Sequence, residues 1–228
     1  MNVSKMSAKE KKEFVTGIME VAKRVPRFNF NGYLYLSLAK EALEKYNKTK
    51  SELQSIGERD KKASERFRLK QEMKKNQIIV ITFSVMFLEL AIWDYGASKK
   101  TEICSSAKKF RNLNWGLGKK WVKIIESVSG KEIPKDAIEL LEKLGKARNE
   151  IVHSKSEPAP KTYDELLEKM QKEEMFIISA NQAFQCIAKC FNELQKIDSK
   201  WWLFNELTGN ALIGRILLPG FDVIRKNK

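Results

Sequence analysis

Arg148, Asn149 and His153 stand within KLGKARNEIVHSKSEPAP, and His153 is the only histidine in a chain with 43 Lys plus Arg. An imidazole exchanges protons near neutral pH, so it can take one from a hydroxyl nucleophile or give one to a leaving group. A guanidinium suits a phosphate whose charge grows in the transition state. The Asn149 amide can orient a phosphate oxygen or the imidazole. RNA carries its own nucleophile, the 2′-OH, so this set needs no metal to generate one. No acidic cluster at metal-ligand spacing occurs in the sequence, and neither a metal nor a cofactor is expected. Cleavage through the 2′-OH wants an acid and a base, and each chain has one histidine. A two-fold homodimer that buries the Gly145–His153 face would supply two.

The element that must position these residues is a helix. Pro134 is tolerated in a first turn, Asp136 puts negative charge near the N-terminus, and Pro158 and Pro160 close the segment. Ala137, Leu140, Leu141, Leu144, Ala147 and Ile151 form one apolar stripe centred on Leu144. At about 100° per residue, Arg148 lies about 40° from that centre, Asn149 about 140° and His153 about 180°. Asn149 and His153 therefore occupy a second face, which the long Arg148 side chain can reach, with Gly145 on the same flank, where a missing side chain lets another surface approach. Two plainer readings remain open here. Arg-x4-His arises often by chance, and a histidine near a helix C-terminus is also explained by the helix dipole.

A net charge of +14 points to a polyanionic partner, nucleic acid or an anionic membrane surface, beside the plain alternative of lysine-driven solubility. The charge is concentrated. Residues 99–123 hold eight basic side chains against Glu102 alone, half of the net excess. Within this segment Lys108, Lys109, Arg111, Lys119 and Lys120 are expected to hold RNA electrostatically rather than to do chemistry. Phe110, Trp115 and Trp121 are interleaved with them, so stacking on unpaired bases is conceivable, although Trp121 reads better as core.

The opening residues contain no apolar run, so no signal peptide is expected. Residues 78–97 are apolar, but Glu89 and Asp94 are costly in lipid, and the segment reads better as a helix buried in protein than as a membrane span. Glu89 needs a partner there, because an unpaired buried charge is expensive. Three cysteines in an unexported chain imply a reducing compartment, and the protein is expected to be cytoplasmic. Cys186 and Cys190 read as small core residues.

The chain reads as all-α. Helices are expected from Ala8 to Lys23, from near Tyr33, over the charged stretch 58–75, over 77–97, and over KKWVKIIESV before Gly130. Another runs from Pro134 to the histidine, and a last long one from near Asp164 through FNEL. Residues 98–118 read as irregular, and a short alternating run from Phe28 to Tyr35 could pair as a strand. Residues 1–76 are expected to be a helical extension on or beside a core of 77–197, with 198–228 packing back on it.

KLGKARNEIVH, with its Arg-Asn-x-x-x-His core, resembles the signature of the HEPN superfamily, whose members include helical ribonucleases of toxin, phage-defence and RNA-processing systems. FSVMFLELAIWDYGA resembles the family's earlier core helix with its one acidic residue, here Glu89, and FIISANQAFQCIAKCFNEL resembles its closing helix. The resemblance covers about residues 77–197. It implies an antiparallel helical bundle with helical extensions, a homodimer, and metal-independent endoribonuclease activity in a toxin or antiviral defence system. It implies Arg148, Asn149 and His153 as the catalytic set, with Glu89 as a support for Arg148, and products with 2′,3′-cyclic phosphate and 5′-OH ends. An antitoxin or sensor subunit would restrain such an activity. Some members paired with nucleotidyltransferase antitoxins carry a tyrosine two residues after the histidine. Lys155 stands there in this chain, so that pairing is not expected. Two other readings differ in class: a non-catalytic HEPN RNA-binding or adaptor module, and a basic helical protein acting at a membrane surface or on DNA.

Overall fold

The computed structural model describes residues 30–56, 63–153, 162, 164–165 and 177–199, with residue 7. The chain divides into two compact units, 31–199 and the two ends together, and the described residues belong almost entirely to the first. Helix accounts for 81% of the described residues and strand for none, so this unit is all-α. The expected helix at 8–23 and nearly all of the C-terminal extension lie outside the described residues. From Phe30 onward the alternating run that could have paired as a strand is helical.

The described helices are α1 (Phe30–Ser55), α2 (Ala63–Ser98), α3 (Ala107–Arg111), α4 (Leu117–Ser129), α5 (Lys135–Val152) and α6 (Ala180–Ile197). α2 is the centre: α4, α5 and α6 all pack on it, and α5 also packs on α4 and α6. It is 36 residues long, about 54 Å at 1.5 Å per residue. The boundary read at 76/77 from the change in composition falls inside this unbroken helix. No proline interrupts the backbone there, and the Asn76 side-chain amide folds back to donate to the Glu72 carbonyl at 2.8 Å. α2 is long and apolar enough to cross a membrane, and 56% of its most apolar stretch is buried inside the protein.

The core forms where the helices' apolar faces meet. Ile81, Leu88 and Ile92 of α2, Trp121, Ile124 and Ile125 of α4, Leu141 and Leu144 of α5, and Ile187 of α6 are all buried. The Trp121 indole donates to the Leu88 carbonyl at 3.2 Å, so its one polar atom is satisfied. Its ring meets Phe191 edge-on at 6.2 Å. Cys186 and Cys190 are buried side by side on α6 as core packing, and burial raises the pKa of the Cys190 thiol, which keeps that thiol unreactive.

Three helix ends are set locally. Gly130, at φ 65°, stops α4 with its N–H on the Glu126 carbonyl. Ser179 and Gln182 form a reciprocal capping box that starts α6. The sequence expectation of one helix running from Asp164 through this region is therefore corrected, because Ile177 to Ser179 are not helical. α2 ends in a turn whose Lys100 N–H bonds to the Ala97 carbonyl and whose Thr101 N–H bonds to the Gly96 carbonyl. That turn holds Lys100 at φ 56°, a conformation costly for a residue with a Cβ. Lys100→Gly is expected to raise stability by about 0.5–1 kcal/mol, after glycine's larger loss of freedom on folding is counted. The check is a higher urea midpoint at unchanged slope; an unmoved midpoint would show that the position is not strained.

Candidate functional site

α5 is anchored at both ends. At its start Asp136 pairs with Lys189 of α6, an ion pair that lowers the Asp136 pKa. At its end the His153 N–H caps the Asn149 carbonyl at 2.9 Å. Ala137, Leu141, Leu144 and Ala147 are buried, as the stripe requires, while Asn149 and His153 are exposed and Arg148 is partly covered. The helix thus places its polar face beside, not inside, the bundle.

Arg148 is oriented from two sides. One nitrogen donates to the Asn149 side-chain oxygen at 3.0 Å, and the other lies 3.8 Å from Glu89 of α2. Glu89 receives a closer bond from Lys120 of α4, at 2.7 Å. One carboxylate on the central helix therefore meets a cation from each of two neighbours, α4 and α5. The partner that Glu89 needs is thus Lys120 first and Arg148 second.

This placement changes the reading of Lys120. The sequence grouped it with the solvated basic residues, but its side chain is only 10% exposed, bonded to Glu89 and lying over the Phe110 ring at 4.9 Å. Lys109 is bound to Glu102 at 2.9 Å, a contact that also lowers the Glu102 pKa. Lys108 is exposed, and Lys119 is exposed with its ammonium 5.4 Å from the centre of the Trp115 ring.

An open groove of about 1090 Å³ brings the two halves of the expectation together. Arg148, Asn149 and His153 line it from α5, and Arg111, Trp115 and Lys119 line it from the segment around the start of α4. Glu89 and Lys120 lie at the same groove, whereas Lys108 and Lys109 do not line it. Lys146 also lines it and was missed from sequence. It stands three residues before Asn149 and seven before His153, so helical spacing alone could have found it. Five basic side chains face three carboxylates across the lining, which favours an anionic occupant.

Comparison with protein-family models, with curated proteins and with solved structures found no match to this chain.

Gly145 has a different role from the one expected. A side chain there would begin 3.3 Å from Cβ of Leu117, so the space belongs to α4 of the same chain. Gly118 does the same in return: a Cβ on it would lie 2.8 Å from Cγ of Glu142. These two glycines let α4 and α5 approach closely enough to share the groove. Among the described residues, no three His, Cys, Asp or Glu side chains gather where they could hold a metal ion.

Proposed function

We propose that the chain is an endoribonuclease of the HEPN type that uses the RNA 2′-OH as its nucleophile. The reading rests on one observation: Arg148, Asn149 and His153 share a groove with Arg111 and Lys119, so the groups suited to the chemistry and those suited to the polyanion lie together. In the proposed reaction an imidazole takes the 2′-OH proton as O2′ bonds to phosphorus. The bond from phosphorus to O5′ breaks, and O5′ leaves with a proton from an acid. Arg148 balances the charge that gathers on the phosphoryl oxygens, in an orientation held by Asn149 and Glu89.

One chain brings one imidazole to this groove, so the proposed active species is a homodimer in which a second copy supplies the other. Since Leu117 fills the space at Gly145, the part of α5 that would meet that copy is its exposed end beside the imidazole, with Asn149, Val152 and His153. An antitoxin or sensor subunit would restrain such an enzyme in the cytoplasm of its host.

The full chain incubated with structured RNA in EDTA is expected to produce fragments with 2′,3′-cyclic phosphate and 5′-OH ends. Fragments with 5′-phosphate ends, or a strict magnesium requirement, would rule the mechanism out. Tight binding without cleavage would leave a non-catalytic RNA-binding module.

A further inference from the structure

The aromatic residues of the basic segment are not equivalent. Trp121 is 1% exposed in the core, and Phe110 is 7% exposed, packed on Trp93 at 5.2 Å and covered by Lys120. Neither can offer a free ring face to a ligand. Trp115 is partly exposed and lines the groove. It sits in the connection between α3 and α4, followed by Gly116, around which a Cβ would meet nothing within 4 Å. The backbone next to Trp115 is therefore uncrowded at Gly116. Its cation partner, Lys119, is an exposed side chain on a long stem and can move from the ring to a phosphate.

We propose that Trp115 is a base-stacking platform that makes this groove select unpaired, single-stranded RNA over duplex RNA. A base in a duplex has both faces covered by its neighbours, so only a splayed base can lie on an indole, and stacking of this kind tolerates any base because each has a π-face. Lys119 and Arg111, on either side of Trp115 in sequence, meet the phosphates that flank the stacked nucleotide. The proposal deepens the ribonuclease reading and names its substrate class, while the stacking itself needs no cleavage.

The test uses the full chain carrying His153→Ala, so that RNA survives the measurement. Fluorescence anisotropy would give its affinity for a labelled single-stranded RNA and for a duplex of equal length, with Trp115 intact, as Trp115→Ala and as Trp115→Phe. The parent is expected to prefer the single strand. Trp115→Ala should weaken single-strand binding roughly tenfold or more and change duplex binding by less than about twofold. Trp115→Phe should keep most of the preference, which a lost structural contact would not explain. Equal losses on both RNAs, an unchanged preference, or no single-strand binding by the parent would each overturn the proposal. The two readings fail separately: a wild-type chain that binds through Trp115 but leaves RNA uncut defeats only the ribonuclease, and cleavage with an unchanged preference in Trp115→Ala defeats only the platform.

Discussion

His153→Ala is expected to lower RNA cleavage by roughly 10²–10⁴-fold while RNA affinity and helicity stay near those of the parent. The side chain is exposed at the end of α5 and supports no core contact, so its loss should not unfold the helix. Arg148→Ala should cost about 3–4 kcal/mol of transition-state stabilisation, comparable to removing an oxyanion donor. Arg148→Lys should not restore the rate, because a point charge cannot bond both to Asn149 and to a phosphate in the planar fork that Arg148 presents. Single-turnover cleavage and a thermal melt on each variant make the measurement. Parent-like cleavage by His153→Ala would return the histidine to the helix-end reading.

Glu89→Leu should destabilise the fold by about 3 kcal/mol, because it strips the partner from a lysine that is almost wholly covered. The Phe110 ring offers Lys120 only part of what the carboxylate did. In the double variant Glu89→Leu, Lys120→Met no charge is left stranded, and most of the stability should return. Cleavage should not return with it, since Arg148 has lost its contact with α2 in both variants. Urea unfolding of the two single variants and the double gives the coupling. Losses that simply add would show that the pair is not coupled. Recovery of cleavage in the double would show that Glu89 has no part in placing Arg148.

The ease of reading each element from sequence follows from where its information lies. α5 was legible because its stripe, its entry proline and its polar face are all local, and Arg148 is partly covered while Asn149 and His153 are exposed, in the order of their angles from the stripe. The continuity of α2 was missed because composition changes sharply at 76/77, yet no proline, and no glycine before Gly96, interrupts the helix. The start of α6 was missed although Ser179-x-x-Gln182 is a local signal, because the apolar pattern reads through it. Lys120 was also findable. It lies three residues after Leu117 and four before Ile124, both buried, so helical spacing puts it on the inward face of α4. That Glu89 would meet Lys120 from 31 residues away was not findable, since only the packing of α2 on α4 creates the pair.

The walls of the groove differ in mechanical character. Val85 and Glu89 belong to the C-terminal half of a helix 36 residues long, with buried core residues before and after them. That wall can rotate or shift only as a whole bundle does, so it acts as a fixed jig for Arg148. Trp115 and Gly116 belong to an irregular connection between helices of 5 and 13 residues, where a change of a few dihedral angles disturbs no helical ladder. If the groove takes RNA as proposed, accommodation of differently shaped strands would fall to one side of it, while the geometry around Arg148 would stay constant on the other. In the proposed enzyme, sequence tolerance and catalytic precision would thus rest on separate pieces of backbone, and either could change without retuning its neighbour.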